Sequence, residues 1–182
     1  DSAITQQQLE LAQYAVVNDQ QQLMHMECPS RLYLFNEMRP AGVFLPWIQR
    51  IGWHARLDLL VLHKAVELVK HSSFPICINL SGESVSNPIF RDRLFKLVKD
   101  IPTEYLDQLC FDVPEYIAAQ HPEAFREFCF LMQALPCHIG IEHFGQHLHS
   151  LTSLHDLGIR YLKIDSSVIR DVAIHTQAQT LL

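Results

Sequence analysis

The sequence is short of positive charge. Its 182 residues carry 14 Lys plus Arg against 20 Asp plus Glu, a net charge of −6. That balance argues against neutralising a run of phosphates, so no general nucleic-acid partner is expected. A small anion held by one or two Arg or Lys side chains stays open. Long apolar runs are also missing: none approaches the roughly 20 residues that a spanning helix needs, and no signal peptide opens the chain. A membrane would enter through other parts of a longer protein. Cysteine is present without pattern. Cys28, Cys77, Cys110, Cys129 and Cys137 show no CxxC or metal-type spacing and are odd in number, so they read as reduced core residues of a cytosolic protein. Internal repeats, low-complexity tracts and linkers are lacking as well.

What is present is a core. Apolar residues make up 48% of the chain, enough for one compact domain. Strand-like and helix-like segments alternate along it. AQYAVV (12–17) and QLMHME (22–27) read as two strands joined by a polar NDQQ turn. The stretch that follows, with Pro29, Pro40 and Gly42, reads as a loop. FLPWIQRIG (44–52) starts a short helix, and 55–71 forms a longer one with Leu59, Leu62, Val66 and Val69 at helical spacing. PICINLS (75–81) is a short buried strand. NPIFRDRLFKLVKD (87–100) is an amphipathic helix with Pro88 in its first turn and Arg91, Arg93, Lys96 and Lys99 on a solvated face. A strand lies within 105–115, and a helix over 121–135 turns Phe125, Phe128, Leu131, Met132 and Leu135 inward. Strands at 137–144 and 161–165 follow, separated by a loop and a helix around 151–157.

After the leading strand pair the rhythm is strand, helix, strand, which predicts parallel pairing through right-handed crossovers. Polar residues recur near the C-terminal ends of the strands: Glu27, Asn79, Asp112, Glu142 and Lys163. In a (β/α) barrel those ends converge on one mouth, where active sites lie. A flavodoxin-like open sheet gives the same rhythm, but the repeated polar ends and the leading pair favour an α/β fold of the TIM-like barrel type. Glu, Asn, Asp and Glu are hard oxygen donors suited to Mg²⁺ or Mn²⁺. Lys163 suits a phosphate or a metal-bound water. IEHFGQHLHSL (141–151) raises a rival reading, with His143, His147 and His149 as transition-metal ligands. The i, i+4 pair His143 and His147 suits that only on a helix, and the stretch reads as a loop. Trp47 and Trp53 either cover the barrel flank or offer an aromatic surface to a base or a partner.

In order and spacing these segments resemble the EAL domain, a (β/α) barrel that binds and often hydrolyses cyclic di-GMP. The likeness runs from about residue 9 to 172. QYAV at 13–16 stands where the family has Gln-Pro-Ile-Val, and Glu27 follows at the family's spacing inside ECPSRL, where EALLRW is usual. FLPWIQRIG is similar to FIPLAEETG, INLS matches Asn-Leu-Ser, FDVPE stands at LEITE, IEHFG at LDDFG, and YLKID matches outright. The resemblance implies nucleotide contacts at Gln13, Arg31, Asp58, Asn79 and Lys163, with Arg31 suited to gripping a phosphate bidentately. It implies metal-ligand positions at Glu27, Asn79, Asp112, Glu142 and His143, and a loop-supporting role for Glu115.

The departures cluster on the metal side. The first Glu of EITE is Asp112, and the paired aspartates of DDFG are Glu142 and His143. A two-metal site needs short carboxylates against ions about 4 Å apart, which a longer Glu and a neutral His do not supply. His147 stands where the family has a glycine, and Pro29 and Pro114 each remove an N–H beside the site. The expectation is a vestigial, unoccupied Mg²⁺ or Mn²⁺ site, no metal cofactor, and a domain that is not an enzyme. AGVFLPWIQRIGWHARLD resembles the matching stretch of the LapD-type receptors of the family. That resemblance implies a non-catalytic cyclic di-GMP receptor whose occupancy acts through a homodimer. It places this as the cytoplasmic domain of an inner-membrane protein controlling adhesion and biofilm, beside HAMP and degenerate cyclase domains. A degenerate adaptor gripping a protein partner and a residual phosphodiesterase are the alternatives. Residues 1–182 are expected to form a single EAL-like domain, a piece of a longer multidomain protein that lacks the barrel's last two strands.

Overall fold

The backbone follows the expected alternation in a computed structural model that describes residues 8–146, 154 and 156–174. His147, His149 and the helix expected around 151–157 fall largely or wholly outside the described residues. The strands are β1 (Leu9–Leu11), β2 (Tyr14–Val17), β3 (Leu23–Glu27), β4 (Ser30–Leu34), β5 (Glu37–Pro40), β6 (Ile76–Asn79), β7 (Leu109–Pro114), β8 (His138–Phe144) and β9 (Ile159–Ile164). The helices are α1 (Ala41–Ile51), α2 (His54–Val69), α3 (Gly82–Ser86), α4 (Pro88–Lys99), α5 (Thr103–Leu106), α6 (Glu115–Gln120), α7 (Pro122–Gln133) and α8 (Ser166–Ile174).

Six strands form one curled wall in the order β2-β3-β6-β7-β8-β9, with β2 antiparallel to β3 and every later pair parallel. The two faces of the wall divide the sequence by alternation. Ile76, Ile78, Leu109, Phe111, Val113, Ile139 and Ile141 are buried. They alternate with His25, Cys77, Asp112, Gly140 and Tyr161, which meet one another on the opposite face. Half of a (β/α) barrel is thus built with apolar residues under the helices and a polar row towards the axis.

The stretch 28–43, expected to be a loop, instead contains β4 and β5. They pair with β1 in a second, antiparallel sheet of order β1-β4-β5. Phe35 and Asn36 turn the hairpin with φ of 53° and 66°, the left-handed pair that a tight hairpin turn requires. The prolines suggested a break, yet Pro29 precedes β4 and Pro40 closes β5, positions where a missing N–H is tolerated.

The helices form for local reasons. Asn87 caps α4 by accepting from Ile89 N and Phe90 N, and Pro88 fills its first position. Gly52, at φ 67°, ends α1 in the left-handed region. The solvated face expected for α4 needs one correction. Arg91 is buried, donating to the Val85 carbonyl at 2.9 Å and pairing with Glu127 of α7. In α7, Phe125, Phe128 and Met132 are buried as expected, together with Cys129, whereas Leu131 is only half-buried.

Candidate functional site

The ends of the parallel strands meet at one mouth. Register sets Asn79 beside Asp112, Asp112 beside Gly140, and Gly140 beside Tyr161. Because β2 runs antiparallel, its start lies beside the end of β3, with Tyr14 paired to Glu27. Gln13, Glu27, Asn79, Asp112, Glu142 and Lys163 therefore share one end of the wall, as the strand-end pattern implied.

Lys163 is the hub. Its Nζ lies 3.2 Å from Glu27 Oε2 and is ion-paired to Asp112 Oδ2. Asp112 is fully buried, and its other oxygen accepts from the Tyr161 hydroxyl at 2.7 Å. Burial pulls the Lys163 ammonium towards neutrality, but the Asp112 and Glu27 carboxylates outweigh it and hold its pKa above the ordinary value. Tyr161 stacks on His25 with ring centres 5.5 Å apart and lies 3.2 Å from Cys77 Sγ. Burial first, then the Lys163 charge, lowers the His25 pKa, so the ring beneath the hub favours its neutral form. Gly140 makes the crossing possible, since a Cβ there would run into both Asp112 and the Tyr161 ring.

A pair of divalent ions does not fit this donor set as it stands. Both Asp112 oxygens are committed, one to an ammonium and one to a phenol, and Glu27 shares the same ammonium. His143 turns Nδ1 to Asp165 Oδ2 at 2.9 Å. That leaves Asn79 Oδ1, which is buried without a hydrogen-bond partner, and Glu142. Burial raises the Glu142 pKa, the approach of His143 only partly offsetting it. Among the described residues no cluster of three or more His, Cys, Asp or Glu is placed to hold a metal; His147 and His149 of the histidine site considered for 143–149 lie outside the described residues.

The rim carries the remaining residues. Arg31, half-buried on β4, donates to the Tyr14 hydroxyl at 2.6 Å, so its described partner is a neutral phenol and not a carboxylate. Gln13 is exposed next to that phenol. Asp58 is buried on α2, and its Oδ2 accepts from Ser81 N at 2.9 Å and Ser81 Oγ at 2.7 Å. It fixes the turn after β6, so that its carboxylate reaches the mouth through Ser81. Burial raises its pKa against those hydrogen bonds. Glu115, at the start of α6, accepts from Gly145 N at 3.1 Å and so contacts the turn after β8. A cleft of about 960 Å³ opens beside these groups, lined among others by Asn79, Ser81, Tyr116, Glu142 and His143.

Sequence reasoning missed Tyr14, Tyr161 and Asp165. Tyr161 was within reach, because it sits two residues before Lys163 and so shares its face. Asp165 stands directly before two serines and a helical run, a capping signal, and it accepts from Ser167 N at 2.8 Å and Ser167 Oγ at 2.6 Å. Tyr14 gave no signal. Trp47 is exposed at 64%, whereas Trp53 packs on the core under the Arg56 guanidinium, 4.6 Å above its ring.

Comparison with known proteins agrees with this architecture. The sequence profile of the EAL domain family matches residues 1–182. The chain is 21% identical over 173 residues to the RNase E specificity factor CsrD of Escherichia coli, covering 94% of this chain and 27% of that protein. It is 28% identical over 142 residues to the cyclic di-GMP phosphodiesterase PdeF of the same species, covering 75% of this chain and 19% of that one. The chain thus spans about a fifth to about a quarter of the length of these curated relatives. Among solved structures, Vibrio cholerae LapD S helix-GGDEF-EAL bound to c-di-GMP superposes with a TM-score of 0.89 at 19% identity, over 99% of this chain and 45% of that one. The FimX EAL domain of Pseudomonas aeruginosa bound to c-di-GMP gives a TM-score of 0.82 at 21% identity, over 99% of this chain and 74% of that one. These two likenesses show the fold: a portion of the EAL-type TIM-like barrel.

Proposed function

This chain belongs to the EAL domain family, and we propose that it is a receptor for cyclic di-GMP and not a phosphodiesterase. One observation carries the reading: the Lys163 ammonium sits on Glu27 and Asp112, the carboxylates that a hydrolytic metal would need. Metal-assisted hydrolysis requires an ion that lowers the pKa of a bound water. An ammonium neutralises the same carboxylates but activates no water. The groups that hold a phosphodiester remain. Arg31 presents a guanidinium with only a phenol as its described partner, and such a fork matches two phosphate oxygens. Asn79 lines the cleft, Gln13 and Lys163 stand at the same end of the wall, and Asp58 acts through the Ser81 turn. The support from relatives is that LapD and FimX EAL domains of the same fold are described with c-di-GMP bound.

The proposal extends to context. Likeness to a LapD S helix-GGDEF-EAL protein supports a longer, multidomain protein; a homodimer that passes on nucleotide occupancy is part of the proposal. An inner-membrane location, HAMP and degenerate cyclase neighbours, and an output in adhesion or biofilm belong to the same proposal. Isothermal titration of cyclic di-GMP into the 182-residue chain tests the core of it. Binding is expected, and Arg31→Ala is expected to weaken it about tenfold to a hundredfold, the range for losing a charge-assisted hydrogen bond. Cleavage of cyclic di-GMP in Mn²⁺, lost in Glu27→Ala, would show a residual phosphodiesterase and overturn the reading. Absence of binding would leave the adaptor role.

A further inference from the structure

A second cleft, of about 900 Å³, lies away from the mouth along the outer side of α2. Its floor is apolar. Trp53, Leu59 and Leu60 line it while packing on the core from half-buried positions, so the floor is held in place from below. Its walls are cationic. Arg56 and Lys64 come from α2, and Arg93 reaches in from α4. Among the described residues none of the three has a carboxylate partner; the one acid of the lining, Glu67, is paired with Lys70 at 2.8 Å. Arg56 stacks on the Trp53 ring, 4.6 Å from its centre. A guanidinium stacked by its face keeps its in-plane N–H donors free for a carboxylate. Three unmatched cations over an apolar floor stand out on a chain whose net charge is −6.

We propose that this groove docks an acidic amphipathic segment of a partner protein, with its carboxylates on Arg56, Lys64 and Arg93 and its apolar side chains on Trp53, Leu59 and Leu60. Charge complementarity selects the occupant. Arg56 and Lys64 are eight residues apart on one helix, about 12 Å along its axis, which matches carboxylates two helical turns apart on the partner. A buried Trp beside an Arg is the kind of pair on which binding energy concentrates. A second copy of this chain fits poorly: a two-fold contact through the same face would set the three cations against themselves. A membrane is flat and would meet the acidic remainder of the chain. A nucleic acid needs more phosphates neutralised than three cations supply. None of the six residues lines the cleft at the mouth, so the proposal stands apart from nucleotide binding.

Three designed helical peptides test it on the 182-residue chain. The first carries glutamates two turns apart around a leucine face, the second has lysines for the glutamates, and the third has serines for the leucines. Amide NMR is expected to show saturable shifts at the Trp53 indole N–H, along α2 and at Arg93 with the first peptide alone. Fluorescence anisotropy is expected to show its affinity falling about tenfold in Arg56→Ala, the loss of one charge-assisted hydrogen bond, and falling with added salt. Lys64→Glu with Arg93→Glu is expected to abolish binding while the thermal melt stays in place, because neither side chain is buried. No saturable shift with the acidic peptide overturns the proposal. So does binding that survives the double charge reversal, or equal binding of the lysine or the serine peptide. Binding to phosphatidylserine–phosphatidylcholine vesicles in place of the peptide overturns it in favour of a lipid surface.

Discussion

At the residue scale, Lys163 decides the character of the mouth. Its raised pKa comes from the Asp112 and Glu27 carboxylates winning against burial, so the three form a partly buried charge cluster. Breaking a buried pair leaves an uncompensated charge, which typically costs about 3–5 kcal/mol. Lys163→Met is expected to lose stability of that order in urea unfolding, and Lys163→Met with Asp112→Asn to regain most of it, because the pair is then removed as a unit. At Asp58 burial is the winning influence instead. Burial raises its pKa above the unfolded value of about 3.9. The unfolded chain therefore releases the Asp58 proton first as pH rises. Its contribution is fully present below the unfolded pKa and is lost as pH climbs through the folded one. Denaturation across the acid range is expected to show that falling slope in the wild type and a flatter one in Asp58→Asn.

At the element scale, the helices around the mouth are held by few polar contacts. Asn87 supplies the cap of α4, and Asn87→Ala is expected to lower stability by about 1 kcal/mol in thermal or urea melts. Arg91 ties the carbonyl at the end of α3 to Glu127 on α7. Its place inside, on a helix whose other basic residues Arg93, Lys96 and Lys99 are exposed, follows from α7 packing across α4, which no pattern within 87–100 reports. The hairpin β4–β5 was illegible for a related reason. Its prolines are real breakers of central strands, and whether a strand is an edge depends on what pairs with it. By contrast the helices at 44–52, 55–71 and 121–135 were legible, because apolar residues at helical spacing face whatever core exists.

At the scale of the whole molecule, the wall is most secure in its middle. All six residues of β7 are buried, and β6 is buried but for its last residue, whereas β2 is largely exposed. Among the described strands of the six-stranded wall, β2 and β9 have a neighbour on one side alone. Hydrogen exchange is therefore expected to be slowest at the amides of β6 and β7 and fastest in β2 and β9, with β3 and β8 between. The mouth draws groups from both regimes: Asp112 from the secure centre, Lys163 and Asp165 from or beside the edge strand. Nucleotide binding is expected to slow exchange in β9 more than in β7.

The sequence by itself determined the alternation of elements, the parallel wall and the row of polar strand ends, because strand and helix periods are written locally in which side chains are apolar. Its resemblance to the EAL family also set the expectation that Glu142 and His143 stand where an acidic pair would serve two metals. Tertiary structure alone decided what those residues do. Lys163 reaches Glu27 and Asp112 across 136 and 51 positions of chain, and only the strand order sets that distance. Arg31 meets Tyr14 and not a carboxylate, Asp58 faces Ser81, and His143 swings to Asp165 through a register shift. In each case the outcome is a competition among groups from separate strands for one short-range contact, and such competitions are settled by register and close packing, which local pattern does not contain.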